Sequence, residues 1–503
     1  MAVAILKSRA QLGIDAPLVT IEVFLSGGLP TFSIVGMPET AVRESKDRVR
    51  SALISGNFDF PQRRITVNLG PADMRKSGGR FDLAIALGIL AASGQVRDTA
   101  FANYEFFGEL SLDGQLRRIP AVLPAALRAS DAGQTMVVPR GNIEEATLAC
   151  DDVHAASCLL EVTAHLNELE NMPRCRRREL PAATDTTIDM SDVKGQERAK
   201  RALEIAAAGG HNLLLAGPPG AGKSMLAQRL VGLLPPMSET DAIATAAIDS
   251  VLGLPVDAGR WRQRPFRAPH HTATAAALVG GGSEPRPGEI SRAHNGVLFL
   301  DELPEFSRHV LEALREPLET GRITISRASA QSEFPARFQL VAAMNPCPCG
   351  YLGDPKADCN CSADRVRAYR DRVSGPLLDR IDIQLEVQRP AAKLLRADAP
   401  GGESSAIIAA RVSKVREQQV ERGAICNAML ATATLRRCVK ISESAERLLE
   451  RVADTHGLSA RGYQRMLRVA LTIADLGRDK AIDEQHMAEA LSLRGVPART
   501  VCA

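Results

Sequence analysis

The sequence predicts an α/β protein: a parallel-sheet core, preceded by an α+β unit and followed by a helical tail. Three observations carry that expectation. From Val193 to about Gln388, apolar runs such as "LLLAG", "GVLFLDE" and "FQLVAAMN" alternate with helical stretches, as in a parallel sheet. Before that, the β-rich runs "LVTIEVFLSG", "RRITVNLG" and "QTMVVP" are interleaved with helical segments such as "ETAVRESKDRVRSALISG". After "RPAAKLLRADAPGGESS", apolar residues recur at helical spacing in "ISESAERLLERVADTHG" and "ARGYQRMLRVALTIADLG". The polar, Pro-containing stretch "ENMPRCRRRELPAATDTTIDMSD" reads as a linker. The expected division is 1–168, a linker at 169–192, a core at 193–390 and a tail at 391–503. At 503 residues the chain is too long for one core.

Composition narrows the classes. Net charge is only +3, so any nucleic-acid surface must be local. Aromatic content of 4% argues against broad base-stacking platforms. "MAVAILKSRAQLGID" lacks the apolar run of a secretory signal, and no eighteen-residue apolar stretch occurs. A cytoplasmic location with ten reduced cysteines is therefore expected.

In "LLLAGPPGAGKSMLAQRL" an apolar strand meets a Gly-rich turn and then a helix. Gly217, Pro218, Pro219, Gly220, Ala221, Gly222, Lys223 and Ser224 fit the phosphate-binding pattern G-x-x-x-x-G-K-[ST]. The glycines let backbone N–H groups wrap phosphate oxygens, Lys223 reaches the β/γ oxygens, and Ser224 offers its hydroxyl to magnesium. Binding of ATP or GTP follows. "GVLFLDELPEF" delivers Asp301 and Glu302 to a strand's C-terminal end, where α/β sheets bind ligands. Asp301 is expected to hold magnesium and Glu302 to polarise the attacking water. The bland alternative is a pair of solvated acids. Asn345 ends the strand "FQLVAAMN", where it is either a water-orienting amide or a plain turn residue.

This order of motifs resembles the AAA+ ATPases. "PFRAPHHTATAAALVGGGSEPRPGEISRAHNGVLFLDELPEF", "AAMNPCPCG", "SGPLLDRIDI" and "TFSIVGMPETAVRESKDRVRSAL" resemble the YifB/ComM family of magnesium-chelatase-like AAA+ proteins. The resemblance covers nearly the whole chain. It implies a homo-hexameric ATPase using ATP and Mg2+, and a DNA helicase that promotes branch migration in recombination or natural transformation. It also implies that Arg380, in "LLDRID", is an arginine finger serving a neighbouring subunit. Arg461 fits the second sensor of a helical lid, with Arg465 as the fallback. Two departures from the family's pattern are Arg292, where Leu is expected, and Leu471, where Arg is usual and a lid contact is put in doubt.

"NPCPCGYLGDPKADCNCS" packs Cys347, Cys349, Cys359 and Cys361 into one loop. Two short Cys pairs can close a tetrahedral zinc site, and four thiolates leave no open catalytic position. A structural zinc loop is expected, with a metal-free reduced loop and a redox sensor as the alternatives. The other six cysteines are scattered and read as packing or incidental.

"PADMRKSGGRFDLAIALGILAASG" and "FFGELSLDGQLRRIPAVLPAALRA" resemble the proteolytic domain of Lon-type Ser/Lys peptidases in layout. Arg80 falls at the nucleophile position and Val122 near the position of the basic Lys, so an inactive scaffold is expected. Ser77 is the nearby alternative nucleophile.

For DNA, "TGRITISRASAQSEFPARFQLV" reads as a hairpin whose second strand runs into Asn345, with Arg327 near the turn as a phosphate contact. Arg260, Arg262, Arg264 and Arg267 lie in a basic insert and are further candidates for such sequence-independent contacts. His270 and His271 read as hydrogen-bonding or packing residues, and "RCRRR" at 174–178 as solvated linker rather than a binding arm. The competing function, of another class, is a chelatase-like ATPase that remodels a protein partner. A binding scaffold with residual ATPase is the third.

Overall fold

The computed structural model describes residues 2–177, 180, 188–282, 285–327, 330–354, 357–391, 393 and 401–494. Near the N-terminus β1 (Ala2–Arg9) and β2 (Leu18–Ser26) pair antiparallel. Val19, Ile21, Val23 and Leu25 alternate along β2 and are buried, which gives the strand one core face. That face meets α1 (Asp82–Ala92), a helix of "DLAIALGILAA" buried almost all round. Gly88 permits the close approach, because a Cβ there would lie 2.4 Å from Val23 Cγ2.

The same sheet holds β3 (Thr31–Val35), β4 (Arg64–Gly70) and β5 (Tyr104–Phe106). A small hairpin of β6 (Glu109–Leu110) and β7 (Leu116–Arg117) follows, then β8 (Thr135–Pro139), β9 (Val153–Ala156) and β10 (Arg174–Cys175). The order is β10-β9-β8-β5-β1-β2-β4-β3. β1–β2, β2–β4 and β9–β10 are antiparallel and the other pairs parallel. β10 falls inside the expected linker: Arg174 pairs with Asp152 at 2.6 Å, and "RC" closes the sheet instead of hanging free. Residues 178–179 and 181–187 of that linker, Arg178 included, lie outside the described part.

The second sheet is the parallel one. Its strands are β11 (Leu213–Ala216), β12 (Phe266–Arg267), β15 (Val297–Leu300), β18 (Gln339–Met344) and β19 (Ile383–Glu386). They lie in the order β12-β15-β18-β11-β19, every neighbour parallel. β15 is buried throughout, and β18 along all but its last residue. Strands covered on both faces need such continuous apolar runs. Two hairpins stand apart from this sheet: β13 (Gly280–Gly281) with β14 (Arg286–Pro287), and β16 (Arg322–Arg327) with β17 (Ala330–Pro335). The second strand of the latter does not run on into Asn345, as its sequence suggested. β17 ends at Pro335, Ala336 N donates to Gly321 O at 2.8 Å, and the chain enters the core sheet only at Gln339.

Helices tie the parts together. α2 (Val122–Asp131) of the N-terminal unit packs on α5 (Glu239–Val251) of the core, with α3 (Glu197–Gly209) and α4 (Lys223–Leu230) between them in sequence. Val122, Leu123 and Ala126 share an apolar cluster with Ala242, Ile243, Ala247 and Trp261. Ser250 Oγ donates to buried Glu145 across the same contact. After the short α6 (Arg315–Thr320), the tail is helical, led by α7 (Ser405–Glu421) and including α8 (Ala460–Gly477). Ser459 caps α8 by accepting from Gly462 N at 3.0 Å. Tail and sheet share one core, in which Leu203, Leu213, Val341 and Ile383 meet Val412, Met466, Val469 and Ile473. Leu471, suspected of weakening a contact, is buried in that cluster, and Arg292 pairs with Asp249 and Glu289. Residues 495–503 lie outside the described part.

Candidate functional site

β11 feeds the loop that precedes α4. Gly220 and Gly222 take φ of +75° and +87°, a region a β-carbon disfavours. Gly217 is constrained differently: a Cβ there would lie 2.1 Å from the carbonyl oxygen of Val387, just past β19. Lys223 opens α4 and is buried. Its ammonium donates to Gly217 O at 2.8 Å, Pro218 O at 3.0 Å and Asn345 Oδ1 at 3.0 Å. Burial pushes its pKa down, while Asp301 and Glu302 pull it back up. Asn345 stands at the end of β18, between β11 and β15, so its amide borders both the loop and the acidic pair.

Ser224 Oγ donates to Asp301 Oδ2 at 2.6 Å. A hydroxyl and a carboxylate side by side are the hard oxygen donors that magnesium takes. Asp301 Oδ1 accepts from the Glu302 backbone N–H at 2.9 Å. Glu302 adopts φ of +53°, and its Oε2 lies 3.2 Å from His271 Nδ1. The His271 and His270 rings lie against each other, tilted by 33°, with centroids 4.1 Å apart. The residues from Pro219 to Met225 line one cavity of about 300 Å³ with Asp301, Glu302, Met344 and Asn345. Two supports of the loop escaped the sequence reading. Gln196 Nε2 donates to Ala221 O at 2.7 Å, and Arg389 Nε to Pro219 O at 3.0 Å. They lie at opposite ends of the core segment, and nothing local marks them.

The four cysteines of the loop after Asn345 converge. Cys347, Cys349 and Cys359 have Sγ separations of 3.3 to 3.6 Å, and all four Sγ atoms, Cys361 included, lie within 4.8 Å of one another. Tetrahedral bonds of about 2.3 Å to zinc put sulfurs about 3.8 Å apart, so the set fits a metal. The Tyr351 backbone N–H, then the Cys347 thiol, lower Cys349 to about 6. The loop also leans on the phosphate-binding turn. A Cβ on Gly350 would meet Pro219 Cδ at 2.6 Å, and Arg389 joins Pro219 to Asp354 and the Tyr351 ring.

Arg380 and Arg461 do not line the cavity. Arg380 is 5% exposed, its Nη1 donating to Pro376 O at 2.6 Å and its Nη2 to Glu319. Arg461 Nη1 reaches the same carboxylate at 3.2 Å. Arg465 instead pairs with buried Asp382 at 2.8 Å, tying α8 to the start of β19. Three of the insert arginines are spent within the chain. Arg262 donates to Met237 O, Arg264 to Pro235 O and Asn295 O, and Arg267 pairs with Glu289. Half-buried Arg264 is pulled down to about 10 by desolvation. Of the four arginines of this insert, Arg260 is exposed and the other three are half-buried. Arg327 closes β16, and its side chain and the turn at 328–329 lie outside the described part. In the N-terminal unit, buried Arg80 donates to Pro120 O at 2.8 Å, and Lys76 donates to Pro71 O.

Comparison with known proteins gives three family matches along the chain. "Magnesium chelatase, subunit ChlI" matches residues 189–395, "Subunit ChlI of Mg-chelatase" residues 21–142, and "Magnesium chelatase, subunit ChlI C-terminal" residues 402–494. "Competence protein ComM" of Haemophilus influenzae is 50% identical over 502 residues, covering 99% of this chain and 98% of that protein. "Uncharacterized protein YifB" of Escherichia coli is 46% identical over 503 residues, with the same coverage of each. The "Magnesium-chelatase 38 kDa subunit" of Cereibacter sphaeroides is 28% identical over 185 residues, 31% of this chain and 52% of that subunit.

Four thiols this close should hold a soft divalent metal. Protein prepared without chelator should carry about one per chain, and Cys359→Ser should release it. Metal-free protein by elemental analysis, prepared under reducing conditions, would contradict this.

Proposed function

The chain belongs to the YifB/ComM family of magnesium-chelatase-like proteins, and from that membership we propose an AAA+ ATPase that drives a hexameric motor along DNA. The observation that carries the ATPase reading is the meeting of Lys223, Ser224, Asp301, Glu302 and Asn345 at one cavity. In this reading Lys223 neutralises β/γ-phosphate oxygens. Ser224 and Asp301 hold magnesium, which when bound offsets the charge of the transferring phosphate. The Glu302 carboxylate accepts a proton from the attacking water, and the Asn345 amide orients that water. Arg380 serves the nucleotide of the neighbouring chain, and Arg461 acts from the lid.

Full-length similarity to a protein named for competence supports DNA as the substrate, with helicase or branch-migration activity in recombination or transformation as the specific form. The β16–β17 hairpin, separate from both sheets, supplies an element for gripping a strand. The second reading is a chelatase-like ATPase that remodels a protein partner. It is favoured by the ChlI descriptions that match three successive parts of the chain, but two chelatase subunits align with only 31% and 59% of it, at 28% and 25% identity. Zinc is the metal we assign to the cysteine cluster, as a strut behind the phosphate loop. The N-terminal unit is read as a silent Lon-like scaffold. Supporting this, Arg80 and Lys76 are each spent on backbone carbonyls, which leaves Ser77 without a base in hydrogen-bond reach among the described contacts.

Lys223→Ala should abolish nucleotide binding. Glu302→Gln should still bind ATP but lose at least about 100-fold in hydrolysis, the usual worth of a general base. Wild-type hydrolysis by Glu302→Gln would remove Glu302 from the chemistry.

DNA should raise the ATPase rate, with affinity that falls steeply as salt rises and little sequence preference. Forked or four-way junctions should be unwound in the presence of ATP. If no DNA form is bound at low salt or alters the rate, the protein-remodelling reading replaces the motor.

A further inference from the structure

Glu319 has no role in the site described so far, yet it is the acid that Arg380 and Arg461 both contact among the described residues. It lies on α6, one residue before that helix ends; Gly321, with φ of +69°, then turns the chain into β16 of the hairpin. Arg380 reaches it from just before β19 and Arg461 from the first turn of α8. Three elements far apart in sequence therefore meet at one carboxylate.

The charge balance there is unusual. Two guanidiniums share one carboxylate, so the trio carries a net positive charge. Nearby Arg315 is paired with Glu312 at 2.6 Å, Arg465 with Asp382 at 2.8 Å, and Arg494 lies 3.6 Å from Asp379. Those acids are already engaged. Burial, opposed by Glu319 and reinforced by Arg315, Arg461 and Arg465, lowers the pKa of Arg380, although a guanidinium keeps its proton. Arg380 Nε is buried with no hydrogen-bond partner among the described residues. Leaving such a donor unsatisfied costs stability, and crowding like charges costs more. The two guanidiniums thus carry more N–H donors than Pro376 O and the Glu319 carboxylate take up.

We propose that Glu319 is a positioning residue for the arginine pair: it holds Arg380 and Arg461 as one unit and ties them to the helix that bears the β16–β17 hairpin. The inference rests on the reading of Arg380 as the finger. Two guanidiniums fixed side by side match a phosphoryl group, whose charge spreads over three equatorial oxygens in transfer. Without the carboxylate, the two cations repel and separate. Glu319 touches no substrate itself, and its effect passes through Arg380.

A simple staple between α6 and α8 would shift stability and leave turnover alone. The test is a double-mutant cycle in the full-length assembled chain. ATP hydrolysis is followed at saturating and sub-saturating ATP, with single-turnover assays able to read losses beyond about 10³-fold. Glu319→Ala should lower kcat about tenfold, the middle of the range for residues in direct contact, and leave KM for ATP within about twofold. Glu319→Gln, which keeps the shape and one acceptor, should fall between it and wild type. In the Arg380→Ala background, Glu319→Ala should cost less than about twofold more. Wild-type kcat in Glu319→Ala, or a loss that multiplies with that of Arg380→Ala, overturns the proposal. If Arg380→Ala is inactive and Glu319→Ala normal, this inference alone fails. If Arg380→Ala is itself at the wild-type rate, the finger reading fails and the proposal falls with it. Should Glu319→Ala not fold, Glu319→Gln carries the same cycle.

Discussion

One buried ammonium organises the core of this protein. Lys223 Nζ binds two loop carbonyls, Gly217 O and Pro218 O, and the side-chain oxygen of Asn345. Removing a cation from water is costly unless it is well partnered. Here the partners come from the ends of two adjacent parallel strands, β11 and β18, so the ammonium fixes where those strands end relative to each other. Ser224, the next residue, extends the tie to β15 through Asp301. Gly217 presses against the backbone of Val387 and brings in the strand on the other side, β19. Four strand ends thus converge because one short loop needs all of them.

The site's supports are layered outward from that point. The cysteine loop packs on Pro219 through Gly350, and Arg389 links Pro219 to Asp354 and Tyr351. A metal in the loop would therefore stiffen the phosphate turn, though it contributes no open coordination position to chemistry. On another edge, Glu319 collects Arg380 and Arg461. The helical tail and the parallel sheet share one apolar core, so a displacement of α8 is felt by β19 through packing as well as through the Arg465–Asp382 pair.

What was legible in the sequence was what is local. The phosphate loop, the Asp301–Glu302 pair and the Asn345 strand are short strings that announce their own strands and turns, and three of the parallel sheet's five strands follow from largely apolar runs. Long-range partners were not legible. Nothing in "RHVLEALREPLETG" marks Glu319 as a shared counter-ion, and nothing in "APHHT" says that His271 meets Glu302. The partners of the basic insert were hidden for a related reason. Arginines in sequence look like surface charge, but Arg262, Arg264 and Arg267 are held by carbonyls and by Glu289 in the fold. The hairpin was recognised from its alternation, whereas its break at Pro335 was hidden by apolar residues that continue toward Asn345. Likewise "RC" at Arg174–Cys175 is too short for a strand signal and becomes one only because β9 offers an edge.

In the proposed function a single chain holds an incomplete hydrolytic site, because Arg380 and Arg461, gathered at Glu319, stand away from its own Lys223 cavity. The most direct measurement is specific ATPase activity per chain across a dilution series, with assembled mass followed by light scattering in the same samples. Activity should be close to zero where the chains are monomeric and should rise as they assemble. Constant activity per chain, down to concentrations at which only monomer remains, would contradict it.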